Sequence, residues 1–596
     1  MPHIPLQLCL TGREITDTRV RPGGQWVSAV VSEPAVSGSL TRLVMWPVAS
    51  PEQETVLLLD PMPQAGRGLS GGVHVWDNDG KRVFVVTKTD GIVVIPVTDN
   101  TPGHMRRLPF DVTRSWSTPV FDYMNRSVYA IADWKQLWGC HADSGDPWLV
   151  HDASGFAVDA CAGSDGMCVT WNRPQMPWTQ STVYPEPVAP GVAVQQPRFS
   201  TNGNSFGYID DRTGVNNVRI LADGIVPHDV VIEDDCEHGG PTWGPGQRTW
   251  CFNTDGTKVA YTRNEKGFGS LWVYNRLTEQ RHMIGRAVHG CVSWEENTLC
   301  ALRSGARTPQ QVVVYDVTHV ESPSRTILAR GGDDLWATPE IKSELVEPSV
   351  HEVEHNGVVV PYRLYRSFKH PYGLIVWVHG GPTDQWQVTF RPRLAFWISR
   401  GWSVVVVDHR GTTGHGRDFL TALHGGWGDV DAQDTCAVVQ HVQRVFGYRP
   451  ERTVLMGGSA GGLTALNTAA RVPDNIAGMV LSYPVVDLGE LMCGDDPFET
   501  HYMPELLGAS GPEDPVLHGR TPLTYANRIA KIPTLIFHGD KDASVPLIHS
   551  QRLQNVVRAA GGHIQLEIME GEGHGFRESR STIREFIVTE SFLSRF

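Results

Sequence analysis

The sequence predicts two domains, an N-terminal seven-bladed β-propeller followed by a C-terminal α/β domain, and three observations carry this. The chain has 596 residues, too many for a single hydrophobic core. Its first 330 residues repeat one hairpin pattern seven times. Beyond about Arg330, short apolar runs alternate with helix-like segments, the pattern of a parallel sheet. The corresponding boundaries are an N-terminal segment at 1–14, the propeller at 15–330 and the α/β domain at 331–596, with the chain crossing between domains near Gly331–Glu347.

Each repeat consists of a short apolar stretch, a tight polar turn and an alternating strand. The copies are Val20–Val31, Val75–Val86, Phe121–Ala132, Ala160–Trp171, Phe199–Ile209, Phe252–Thr262 and Val292–Leu302. Their starts lie about 39 to 55 residues apart, the spacing of propeller blades. Asn78-Asp79-Gly80, Ser164-Asp165-Gly166, Thr201-Asn202-Gly203 and Thr254-Asp255-Gly256 supply the positive φ values that hairpin turns require. The period-two alternation beside each turn buries one strand face. The 19 tryptophans, 61 glycines and 40 prolines suit a region of short strands and many turns.

In the second part, Leu374–Val378, Ser403–Val407, Thr453–Met456, Gly478–Leu481 and Thr534–Phe537 read as buried parallel strands. Asp434–Phe446, Gly462–Arg471 and Ser550–Ala560 read as helices.

Composition excludes several classes of function. A net charge of −14 is opposed to a nucleic-acid-binding face. No apolar run approaches the roughly 18 residues of a membrane span, and the first residues lack a basic segment leading into an apolar core. The ten cysteines are scattered, without CxxC pairs or zinc-ligand spacing, so neither a disulfide framework nor a metal centre is expected. These features together predict a cytoplasmic location.

The chemistry gathers in the second domain. Thr453–Met456 runs into Gly457-Gly458-Ser459-Ala460-Gly461-Gly462, a GxSxG elbow with a strand before it and a helix after it. This is the nucleophile position of an α/β-hydrolase, and the glycines give the turn room. Ser459 is the expected nucleophile. The acid and then the histidine should come later in the chain, in that order. Thr534–Phe537 ends in His538-Gly539-Asp540-Lys541-Asp542, a loop with two candidate acids. Ile564–Met569 leads into Glu570-Gly571-Glu572-Gly573-His574-Gly575-Phe576, whose histidine would take the Ser459 proton and pass it to the leaving group. Upstream, Leu374–Val378 runs into His379-Gly380-Gly381-Pro382, the place of an oxyanion-donor loop. The N–H groups of Gly381 and Ala460 are the expected donors, each able to supply a few kcal/mol, roughly, of barrier lowering.

With these segments in view, the sequence resembles the prolyl oligopeptidase family of serine peptidases, nearest its acylaminoacyl-peptidase and dipeptidyl-peptidase-like bacterial branch. The matching motifs are HGGP at 379–382, DHRGTTGHG at 408–416, WGDVDAQD at 427–434, GGSAGG at 457–462, FETHYMPELLG at 498–508, HGDKDASVP at 538–546 and GEGHGF at 571–576. The resemblance implies Asp542 as the acid, four residues after His538, and leaves Asp540 structural. It implies a propeller capping the active site, which would admit short peptides and exclude folded proteins. Val485, Phe498, Tyr502 and Val545 become candidates for the apolar pocket before the scissile bond. Many relatives carry Arg or Asn two residues after the acid, whereas Ser544 stands there in this chain. The acidic stretch Glu233–Glu237 could hold a free amino terminus, as glutamates do in the dipeptidyl peptidases, or be a solvated loop.

The expectation is a serine peptidase acting on short or N-blocked peptides through an acyl-enzyme, without metal or organic cofactor. Two rivals stand beside it. One is a small-molecule esterase, amidase or acyl-transferring cyclase on the same fold. The other is a propeller binding protein with a vestigial hydrolase domain. A homo-oligomer would also restrict access, and no segment of the sequence marks an interface for one.

Overall fold

A computed structural model describes residues 4–596 apart from 36–38, 67, 123, 144, 164–165, 173–174, 186–189, 369–372 and 495–501. The chain divides into two compact units. One comprises Gly12–Asp334 with Gln387–Phe390, the other Leu335–Trp386 and Arg391–Phe596 together with the residues up to Thr11. The N-terminal residues, expected as a separate segment, therefore pack with the C-terminal unit. The Ile4 N–H donates to Ser399 Oγ at 3.1 Å, and Arg400 reaches the Ile4 carbonyl at 3.0 Å.

The first unit contains seven antiparallel sheets, each built from consecutive strands. All seven predicted repeats are the first hairpin of a blade, from Glu14–Val20 with Trp26–Pro34 to Val288–Glu295 with Thr298–Gly305. The Ser164-Asp165 part of the fourth turn lies outside the described residues. Among the described residues no strand is shared between the first and last blades. Instead Ile15, Val20, Val27 and Val44 of one blade form a buried cluster with Leu302, Val312, Val314 and Leu328 of the other. Each such side chain contributes about 1.5–3 kcal/mol when removed from water, so packing closes the ring.

Five blades share a feature that has no counterpart in the sequence pattern. Their first strand carries a bulge at a left-handed residue: Asp17, Thr118, Asp159, Gln196 and Cys291, with φ between 49° and 54°. A bulge inserts one unpaired residue and re-aims the side chains beyond it. Two residues further on, Arg19, Val120, Cys161, Arg198 and Ser293 all line one cavity within the propeller.

The second unit is built on an eight-stranded sheet. Its strands are β1 (Ser349–His355), β2 (Val358–Tyr365), β3 (Gly373–Val378), β4 (Trp402–Val407), β5 (Thr453–Gly458), β6 (Gly478–Ser482), β7 (Thr534–Gly539) and β8 (Ile564–Met569). They lie in the order β1-β2-β4-β3-β5-β6-β7-β8. β1 and β2 are antiparallel, as are β2 and β4, and the remaining pairs are parallel. The helices that position the site are α1 (Pro392–Ser399), α2 (Val430–Phe446), α3 (Ala460–Arg471), α4 (Ile548–Ala559) and α5 (Ser579–Leu593). The core runs along the sheet through Val376, Val405, Leu455, Leu481 and Ile536, covered by Val439, Leu466 and Leu553 of the helices.

Two of the sequence motifs are absorbed by buried ion pairs. Arg363 on β2 grips Asp408 at the end of β4 through two bonds, one of 2.7 Å, and His415 reaches the same carboxylate at 2.8 Å. Arg410 pairs with Asp434 on α2 at 2.7 Å. Burial alone would raise the Asp408 carboxyl, but Arg363 and His415 outweigh it and hold the group well below the carboxylate range. All ten cysteines are free thiols. Among the described residues no helix is long and apolar enough to cross a membrane.

Because the Asp408 carboxyl is depressed on folding, its stabilisation is complete above the unfolded value of about 3.9 and declines as pH falls below it. Arg363→Met, which strands Asp408 in the core, is expected to cost about 3–5 kcal/mol at neutral pH in denaturant titrations. The deficit should shrink as acid protonates the carboxylate. An unchanged unfolding midpoint at neutral pH would show that the pair contributes nothing.

Candidate active site

The site is assembled at the ends of β3, β5, β6, β7 and β8. Ser459 comes directly after β5 and precedes α3, with φ 55° and ψ −124°. A non-glycine residue held there costs on the order of 1–3 kcal/mol, so the neighbouring packing must enforce it. The glycines show how. A Cβ on Gly461 would stand 2.5 Å from the carbonyl oxygens of Val378 and His379, and one on Gly457 would strike the Gly461 carbonyl. The Ser459 N–H donates to Ser482 O at 3.0 Å, which ties the elbow to the end of β6. The Ser459 hydroxyl makes no hydrogen bond among the described residues.

Asp542 and His574 meet although 32 residues separate them: His574 Nδ1 donates to Asp542 Oδ2 at 2.8 Å. The other carboxylate oxygen accepts the N–H groups of Ser544 and Val545 at 3.0 and 2.9 Å, so the loop itself orients the acid. Asp542 is buried, while the His574 side chain is 29% exposed. Asp540, the other candidate acid, accepts the Gly571 N–H at 2.7 Å and fastens the acid loop to the histidine loop.

Ser459 and His574 are related through Tyr483. Its ring lies 4.4 Å from the His574 ring, centroid to centroid, and a Cβ on Gly458 would stand 3.3 Å from it. Tyr483 stands just after β6 with φ 39°, and burial pushes its phenol up to about 12.

The HGGP loop abuts the elbow. A Cβ on Gly380 would stand 3.2 Å from Gly458 O and 3.6 Å from Ser459 Cβ. His379 is fully buried, with Nδ1 donating to Gly380 O at 2.8 Å and Nε2 accepting from the Thr412 hydroxyl at 2.7 Å. Burial, with His409 stacked alongside, pushes this imidazole down to about 3 and keeps it neutral. Since carbonyl and N–H point opposite ways across a trans peptide, fixing the Gly380 carbonyl also fixes the Gly381 N–H. That N–H donates to nothing among the described residues. Ala460 is the first residue of α3, where a backbone N–H has no partner within the helix.

The pocket candidates also converge here. The Val485 N–H donates to Ser459 O at 3.3 Å, the Tyr502 hydroxyl bonds Thr383 Oγ1 at 3.1 Å, and Val545 lies in the acid loop. All three side chains are at most 2% exposed. Phe498 lies outside the described residues, as does the Phe498–His501 part of its motif. In the acidic stretch of the propeller, Asp234 is bound by His238, Arg263 and Arg281, and Glu237 is buried on the Asn216 N–H at 2.9 Å. These two carboxylates are engaged within the propeller, while Asp235 is 95% exposed.

Two supports of the site were not singled out from the sequence. His538, buried at the end of β7, donates to Val545 O at 2.8 Å and accepts from Ser550 Oγ at 2.7 Å, pinning the acid loop to α4. Glu572, 3% exposed, accepts the N–H groups of Arg577 and Glu578 at 2.9 Å each and closes the histidine loop. A buried acid two residues from His574 in a glycine-rich turn is the signal that could have marked it.

Comparison with known proteins gives one family. The sequence profile of the prolyl oligopeptidase family matches residues 388–596. Dipeptidyl aminopeptidase BIII of Pseudoxanthomonas mexicana is 29% identical over 232 residues, 38% of this chain and 33% of that protein. The acylamino-acid-releasing enzyme of Arabidopsis thaliana is 24% identical over 225 residues, 36% of this chain and 29% of that protein. The match thus spans about a third of these relatives' length. Among solved structures, a Mycobacterium tuberculosis puromycin-hydrolyzing peptidase superposes with a TM-score of 0.84 at 21% identity, covering 100% of this chain and 96% of that one. Acylaminoacyl peptidase of Pyrococcus horikoshii gives 0.73 at 16% identity, with 98% and 96% covered. Both share the two-domain fold.

Glu572→Ala leaves two backbone donors of the histidine loop without their carboxylate. The expected cost is about 1–3 kcal/mol, with faster amide exchange confined to Gly571–Glu578. Unchanged protection of that segment would show that the loop is held by other contacts.

Proposed function

From the match of residues 388–596 to the prolyl oligopeptidase family profile, we propose that the chain is a serine peptidase of short or N-blocked peptides. The observation that carries the reading is the 2.8 Å bond between His574 and Asp542 on loops flanking the Ser459 elbow. Ser459 Oγ attacks the scissile carbonyl carbon while His574 Nε2 takes its proton. The oxyanion is received by the N–H groups of Gly381 and Ala460. His574 then protonates the leaving amine, the C–N bond breaks, and an acyl-Ser459 ester remains. Water, deprotonated by the same imidazole, attacks the ester and releases the acid. Asp542 keeps the proton on Nδ1 and stabilises the imidazolium in both halves. Tyr483 and His538 act as positioning residues. Val485, Tyr502, Val545 and Phe498 are assigned to the pocket for the residue before the cleaved bond. A cytoplasmic location agrees with ten unpaired cysteines.

One observation favours a second reading, an amidase or esterase of small molecules. Ser544 stands where many relatives hold a substrate carbonyl with Arg or Asn, and its own N–H is engaged by Asp542.

A fluorophosphonate probe is expected to label the wild-type chain and not Ser459→Ala; equal labelling of both would reassign the nucleophile. Asp542→Asn is expected to lower kcat by roughly 10⁴-fold with little change in fold. Turnover of acyl-aminoacyl and dipeptidyl anilides against simple p-nitrophenyl esters separates the readings, and hydrolysis of esters alone would remove the peptidase assignment.

A further inference from the structure

The cavity inside the propeller has a volume of about 680 Å³ and is lined by three arginines, Arg19, Arg198 and Arg248. In a chain whose net charge is −14, this concentration of cations requires an account. Arg19 and Arg198 each stand two residues past a bulge, so the fold turns both into the cavity.

Their hydrogen bonding is incomplete. Arg198 spends its terminal nitrogens on Pro197 O at 3.0 Å and Gln247 O at 2.6 Å, leaving Nε without a partner. Arg248 Nη2 donates to Thr18 O at 2.5 Å and lies 3.0 Å from Asp17 Oδ1, while its Nε and Nη1 have no partner. The Arg19 side chain donates no hydrogen bond among the described residues. Its Nε is 3.8 Å from the same Asp17 oxygen, and its side chain is 20% exposed.

Several acids around the cavity are already engaged by other groups. The other oxygen of Asp17 is already occupied by the N–H groups of Val73 and His74 at 2.7 and 2.8 Å and by the His74 ring at 3.0 Å. Asp77 is consumed by Arg82 at 2.9 Å, and Asp122 by its own turn. Asp159 also lines the cavity near Arg198, with one oxygen on the Gly246 N–H at 2.8 Å; burial raises its carboxyl, and burial beside Glu296 pushes Glu295 up to about 7. Burial also depresses Arg19, to about 9, and the neighbouring Arg248 and Arg198 add to the effect. Three clustered guanidinium groups thus meet two carboxylates, Asp17 shared by Arg19 and Arg248, and Asp159 near Arg198.

Water would fill the vacant donor positions but would not offset like charges held in a low-dielectric wall. A planar oxyanion does both, because it accepts the guanidinium fork in a bidentate pair. We propose that the propeller cavity is a binding site for a small oxyanion, a carboxylate or phosphate group, held by Arg19, Arg198 and Arg248. The group could arrive on a free ion or as the carboxylate of a peptide.

Binding is read on the full chain, independently of turnover. Inorganic phosphate is titrated in a low-chloride Tris buffer, and the melting temperature is monitored in the wild type, Arg19→Gln and Arg198→Gln. A saturable rise is expected in the wild type, with apparent affinity at least tenfold weaker in each variant. Arg19→Gln should melt, without phosphate, no lower than the wild type, since it removes a repelled charge, no side-chain hydrogen bond and only a long 3.8 Å contact with Asp17, which Arg248 still neutralises; a merely structural arginine would lower it. Should Arg198→Gln fail to fold, Arg19→Gln carries the comparison alone. Absence of a saturable rise in the wild type, or an equal rise in Arg19→Gln, would overturn the site. Competition by a peptide acid but not by its C-terminal amide would identify the peptide carboxylate as the occupant. Competition by neither, with phosphate still bound, would identify a free ion.

Discussion

The turn at Ser459 is a backbone conformation that a serine does not adopt unaided, and much of the C-terminal unit serves to hold it. The elbow exists because α3 starts immediately where β5 stops, leaving one residue to reverse the chain. Gly461 permits the helix to press on the carbonyls at the end of β3, and Gly457 permits the strand to approach the helix. The left-handed φ of Ser459 is the geometric remainder of that close packing. Strain of this kind persists only where its surroundings over-determine it. Here they comprise a mostly parallel sheet whose core side chains are almost entirely buried.

The acid and the histidine are held by a different device. Their loops lack regular structure, so their order comes from polar groups that satisfy the backbone. Asp540 binds the Gly571 N–H, the Lys541 N–H binds Glu572 O, and Glu572 closes the turn onto α5. His538 ties the start of the acid loop to α4. The 2.8 Å bond between His574 and Asp542 sits within this lattice, and each partner has a further contact of its own, the loop N–H groups for Asp542 and Tyr483 for His574. Buried polar groups of this sort are costly when partnerless and rigid when satisfied. A wholly apolar wall would not have fixed the loops.

In the propeller, the recurrent feature is the bulge rather than the hairpin. The hairpins make the blades, and hydrophobic packing closes the ring. The left-handed residues on the first strands decide which side chains reach the cavity. Several different residue types occupy that position. The constraint is therefore one of backbone position, and it leaves side chains free to vary from a valine to an arginine.

Period-two alternation with Asp-Gly and Asn-Gly turns made the seven blades legible, because strand burial and turn φ values are local properties. The α/β sheet was legible for the same reason, as was the elbow, whose strand, glycines and helix are contiguous. Helix starts were less so: α2 begins at Val430 and α3 at Ala460, ahead of the apolar periodicity that signals them. The antiparallel β1 and the long α5 gave weaker signals, since half-exposed polar faces blur both periods. Choosing Asp542 over Asp540 required either a family pattern or coordinates. Both acids occupy one loop, and only the approach of the histidine loop distinguishes them. Tyr483, Glu572, the His379 bond to Gly380 and the three converging arginines were decided by tertiary structure alone. Each depends on which distant backbone groups come within about 3 Å, the reach of a hydrogen bond, and that distance is set by the packing of whole elements rather than by any neighbouring residue.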